Sequence, residues 1–100
     1  MAELIPTNKF VTVLGPVKME VINLAGTVTT STGTTQTGAS DADTTRTTLQ
    51  RAMFAVGVIT SDDVTITRSM NVTITEATKL LTLNSSDLAN DNVAILVFGF

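Results

Sequence analysis

Apolar and polar positions alternate along much of this chain with a period of two, and that period predicts strands. The strongest signal comes at the end, where Val93-Ala94-Ile95-Leu96-Val97-Phe98 is followed by Gly99 and Phe100. A β-branched apolar run of this length reads as a strand covered on both faces, with the chain ending inside its own core. Gly99, between two phenylalanines, is expected to admit a second backbone at close range. The stretch Met53-Phe54-Ala55-Val56-Gly57-Val58-Ile59 is equally apolar on both faces and is predicted to pair centrally with the last strand, Gly57 marking a bulge or a close crossing.

Earlier in the chain the alternation is cleaner. After a lead-in containing Pro6, residues 9–14 set Phe10, Thr12 and Leu14 against Val11 and Val13, a first strand that Gly15-Pro16 ends. In Val17-Lys18-Met19-Glu20-Val21-Ile22-Asn23-Leu24 the pattern directs Val17, Met19 and Val21 inward and Lys18 and Glu20 outward, until both faces turn apolar at Ile22. Two similar segments, Asp63-Val64-Thr65-Ile66-Thr67 and Asn71-Val72-Thr73-Ile74-Thr75, predict a hairpin with aliphatic residues on one face and threonines on the other. Lys79-Leu80-Leu81-Thr82-Leu83 is a further strand or a single helical turn, and 84–92 is a polar turn.

Residues 27–48 break the pattern. Thr, Ser and Gly dominate, and Val28 is the sole sizeable aliphatic residue. So little apolar surface cannot offset the entropy of ordering, so the segment is expected to be a long exposed loop or arm that orders on a partner. Its candidate contact residues are Thr30, Thr32, Thr34, Thr35, Thr37 and Arg46, and deleting 31–43 is expected to change stability by only about 0.5 kcal/mol. The fold expected for 1–100 is one all-β domain, a small antiparallel sandwich or barrel of six to seven strands carrying one long Thr-rich loop or arm.

Composition narrows the chemistry. The net charge is −3 and the six Lys and Arg are scattered, which disfavours nucleic acid and anionic membranes as partners. Cys, His, Trp and Tyr are all absent, removing thiol chemistry, the usual base near neutral pH and the commonest metal ligand. The opening residues do not resemble a signal peptide, and no run reaches transmembrane length. Asp41-x-Asp43, Asp62-Asp63 and Asp87-x-x-x-Asp91 are the densest acidic spots, but none has EF-hand spacing, and turn chemistry explains them better than a metal does. The patterns Asn71-Val72-Thr73 and Asn84-Ser85-Ser86 are chance occurrences in a chain this rich in Thr and Ser. No nucleophile has a base to activate it and no Gly-rich phosphate loop is present, so neither an enzyme nor a cofactor is expected.

The opening Lys9-Phe10-Val11-Thr12-Val13-Leu14-Gly15-Pro16, the segment 17–23 and the ending Asn92-Val93-Ala94-Ile95-Leu96-Val97-Phe98-Gly99-Phe100 resemble small structural proteins of tailed bacteriophage particles, the decoration or cement type. The resemblance is one of pattern and carries no diagnostic motif. It implies a non-catalytic virion protein, made in the host cytoplasm, that binds and stabilises a capsid and associates with copies of itself. The alternative is an extracellular or tail-fibre-type module that recognises a carbohydrate or cell-surface ligand; it ranks second because the four Phe are expected in the core.

Overall fold

The computed structural model describes residues 2–61 and 68–100, and within them the chain forms ten strands and no helix. The strands are β1 (Leu4–Ile5), β2 (Asn8–Leu14), β3 (Val17–Leu24), β4 (Val28–Thr30), β5 (Thr35–Gln36), β6 (Thr44–Arg46), β7 (Ala52–Ile59), β8 (Asn71–Thr75), β9 (Leu80–Asn84) and β10 (Val93–Gly99). They make three antiparallel sheets, ordered β2-β3-β10-β7, β6-β9-β8 and β1-β4-β5. The all-β reading holds, but the described residues do not make a clear single sandwich or barrel of six or seven strands. The reason is that the lead-in and the Thr-rich segment supply four short strands of their own, β1, β4, β5 and β6.

The four-stranded sheet begins as a tight hairpin. Leu14 pairs with Val17 across the two-residue loop Gly15-Pro16. Gly15 has φ +62° and the proline ring fixes the next φ negative, the type II′ pattern that matches strand twist. β10 then lies between β3 and β7, with Ile95 opposite both Ile22 and Gly57. The predicted pairing of the two most apolar runs is therefore present, although among the described residues β7 is an edge strand of this sheet. Both predicted close approaches also occur. A side chain at Gly57 would collide with the Met70 side chain, and one at Gly99 would collide with the Arg51 carbonyl oxygen, where the β10–β7 register slips.

One face of this sheet is covered. Ile22, Leu24, Ile59, Val93, Ile95 and Val97 join Leu81 and Leu83 of β9, Leu4 of β1 and Val28 of β4 in one buried cluster. β8 pairs with β9, and its Val72 and Ile74 pack on the cluster while Thr73 and Thr75 face out, as alternation predicts. Residues 63–67, the proposed partner in that hairpin, lie outside the described residues. Residues 80–84 form a strand, not a helical turn.

Three sequence expectations are corrected. Val17, Met19 and Val21 point to the uncovered face, and Glu20 points inward with no exposed surface. The strand β10 is fully buried on one face only, and Phe100 is exposed. Residues 27–48 are not an arm: Val28, Thr30, Ala39, Asp43, Thr45 and Thr47 are buried, and exposure is concentrated at 31–37. Polar burial works here because each buried group has a partner. Thr45 Oγ donates to the Leu4 carbonyl at 3.1 Å, and Asp43 accepts from the backbone N–H groups of Ala2 and Ser40, both at 2.9 Å. Hydrogen bonding thus supplies the ordering that apolar burial alone would not.

Candidate interaction surface

The uncovered face of the four-stranded sheet follows from the register. Residues directly opposite one another in neighbouring strands share a face, and three rows run across all four strands. Thr12, Met19, Phe98 and Phe54 form one; Phe10, Val21, Leu96 and Val56 the next; Asn8, Asn23, Ala94 and Val58 the third. None of these twelve positions is charged. Phe10, Phe54, Val56 and Val58 are 45–51% exposed, whereas scattered surface hydrophobes are usually isolated from one another. Phe54 and Phe98 stack with ring centroids 4.7 Å apart and planes 18° apart, which fixes the bulkiest end of the face. No Phe is buried in the core, contrary to expectation.

Strand β2 is open in a second sense. It ends the sheet, and its opposite-parity residues Val11 and Val13 are exposed as well, Val13 to 67%. Lys9 guards this edge: its ammonium donates to the Arg46 carbonyl at 2.8 Å and lies 3.9 Å from the Glu20 carboxylate. A charge on an edge strand is a common defence against unwanted pairing.

The sequence-predicted contact residues are divided between surface and interior. Thr32, Thr34, Thr35 and Thr37 are exposed around the β4–β5 connection. Thr30 is not available to a partner: it is buried, its hydroxyl lies 3.0 Å from that of Thr32, and it accepts from the Thr34 N–H at 3.1 Å. Arg46 is half-exposed and forked onto Glu3, with Nε at 2.5 Å and Nη2 at 3.2 Å from the carboxylate oxygens, and it also donates to the Thr78 carbonyl at 2.8 Å. Glu3 holds the guanidinium above its ordinary pKa through these hydrogen bonds and its charge. The structure thus brings the four exposed threonines together and places Arg46 apart, at the β6 edge.

Asp62-Asp63 lies outside the described residues, and the other two acidic spots have assigned partners. Asp41 accepts from the Ser85 N–H at 2.9 Å. In the 84–92 turn the place of a cation is taken by Arg68, whose guanidinium donates to the Asp87 carbonyl at 2.9 Å and to both Asp91 carboxylate oxygens at 3.0 and 2.9 Å. Among the described residues no cluster of three acidic groups is placed to hold a metal, and no pocket opens on the surface. Comparison with known protein families, curated proteins and solved structures finds no match.

Asp91 carries a pH prediction. The Arg68 hydrogen bonds, then that of the Ala89 N–H, hold its carboxyl at about 2, below the ordinary 3.8, against a smaller opposing effect of burial. A depressed folded-state value stabilises the fold above the unfolded value and loses that contribution as pH falls through the folded one. Between pH 4 and 2 the protein should therefore lose up to about 2 kcal/mol more than an Asp91→Asn variant. Parallel urea titrations over that range measure it; superimposable pH profiles for the two proteins would contradict the assignment.

Proposed function

We propose that this chain is a non-catalytic structural protein of a bacteriophage virion, one that binds and stabilises the capsid and works in association with copies of itself. The observation that carries the proposal is the uncharged apolar face of β2-β3-β10-β7, contiguous across four strands and of the kind that marks an interaction site. A surface of this kind loses least when it is held permanently against protein. The phage assignment comes from the resemblance of 9–16, 17–23 and 92–100 to decoration proteins. Within this reading the exposed threonines at 32, 34, 35 and 37 face the particle, because short hydroxyl side chains fit crowded subunit boundaries and can exchange water for protein hydrogen bonds there. A carbohydrate-binding module is favoured only by the Phe54–Phe98 stack; such sites also need convergent polar groups, and this face offers only Asn8, Asn23 and Thr12.

The test is the particle fraction of a lysate of the encoding virus. The protein should band with the capsid protein at fixed stoichiometry, and replacing Thr34, Thr35 and Thr37 by alanine should reduce occupancy without shifting thermal melting. Absence from purified particles, with saturable binding to a defined glycan, would reverse the ranking.

A further inference from the structure

The proposed function requires something to cover the open face, and we infer that a second copy of this chain does so, packed sheet on sheet about a two-fold axis. This inference rests on reading the face as an assembly surface and names its occupant. The first argument is area. Four strands about 4.8 Å apart and seven residues at about 3.3 Å give a footprint of roughly 450 Å² in projection, which side-chain relief enlarges. Covered on both partners, this is about 900 Å² in projection and on the order of 1,200 Å² once side-chain relief is included, the lower bound for a stable standard interface.

The second argument is charge. The chain carries −3, yet the three cross-strand rows carry no charge, so an identical face meets no like charge across the contact. A surface evolved for a differently charged partner would use complementary charges to steer and select it.

The third argument is shape. The face tapers along the strands, from the bulky row of Met19, Phe98 and Phe54 to the row ending in Ala94 and Val58. A two-fold axis lying in the interface and crossing the strands at the middle row lays the bulky row of each copy over the small row of the other. Phe98 then sits above Ala94 of the second copy, and the middle rows meet each other. Aligned packing of two such sheets about 10 Å apart is a standard sandwich geometry, and an isologous contact closes without forming a filament.

Sedimentation equilibrium on the full chain tests this. The wild type should be a dimer. Phe54→Lys puts a charge on the face, and Ala94→Trp fills the small end; each should weaken the dimer roughly 100-fold while leaving the melting of the dilute monomer unchanged. Val13→Lys, on the other side of β2, should leave the dimer intact. A wild-type monomer at every concentration overturns the inference, as does loss of the dimer in Val13→Lys but not in Phe54→Lys, which would place the contact at the β2 edge. The two readings also fail separately. A monomer that still occupies particles through this face sinks the dimer and spares the virion role, whereas a dimer absent from particles sinks the virion role and spares the dimer.

Discussion

Replacing Glu20 by alanine is expected to destabilise the domain by about 4 kcal/mol. Its carboxylate is wholly buried and accepts from the Thr47 hydroxyl at 2.5 Å, from the Thr48 N–H at 3.0 and 3.2 Å, and from the Thr48 hydroxyl. The Lys9 ammonium, 3.9 Å away, supplies a compensating charge. Alanine strands the buried Thr47 hydroxyl and the Thr48 N–H, and each such loss costs about 1–3 kcal/mol. It also leaves a void beneath the β6–β7 connection. Glutamine keeps the shape and one acceptor oxygen; the threonine hydroxyls can rotate to receive its amide, but the Thr48 N–H cannot. Glu20→Gln should therefore cost about half as much as Glu20→Ala. Urea unfolding of the three proteins decides it: an alanine variant within about 1 kcal/mol of wild type at unchanged m would mean that the carboxylate anchors nothing.

The same residue shows where the sequence was legible and where it was not. Alternation across 17–24 correctly separates two faces and gives the strand its bounds, because the two-residue period is a property of the backbone. Which face is covered is not a property of the strand. Val17, Met19 and Val21 look like a core stripe, and Lys18 and Glu20 like a wet one. The inversion depends on Thr47 and Thr48, 27 and 28 residues away, arriving to satisfy the carboxylate. For the same reason the apolar character of Phe10, Phe54 and Val56 signals only that these side chains avoid water. It does not distinguish burial within the chain from burial against another molecule, so in sequence the open face looks like core. Gly57 and Gly99 are legible, because the absence of a side chain inside an apolar strand has few causes other than close approach. The order of the Thr-rich segment is not legible in the sequence because its stabilisation is by hydrogen bonds, which leave no periodic trace in composition.

The largest effect expected of any change is that of removing 31–43, which should abolish cooperative folding. The deletion takes away β5, which pairs with β4, and Ala39, which is fully buried and exchanges backbone hydrogen bonds with Asp91 at 2.8 and 2.9 Å. It also removes the bonds from the Asp41 N–H to Leu88, from the Ala42 N–H to Leu83, and from the Leu83 N–H to Asp43. The Asp43 carboxylate that ties down Ala2 goes too. At about 1 kcal/mol per net bond, and more where a buried partner is left unpaired, the loss reaches the 5–15 kcal/mol on which an entire domain depends. Shortening a loop returns only a few tenths of a kcal/mol to about 1 kcal/mol. A point variant isolates the crossing itself. Gly38 has φ +156°, and a side chain there would lie 2.5 Å from the Asn90 carbonyl carbon, a clash that only backbone movement can relieve. Gly38→Val should thus lower stability by about 3 kcal/mol, while alanine at the exposed Thr34 stays within about 0.5 kcal/mol. Circular dichroism melts on the deletion and both point variants give the answer. A deletion mutant that still melted in one sharp transition near the wild-type temperature would return residues 31–43 to the status of a loop that decorates a self-sufficient core.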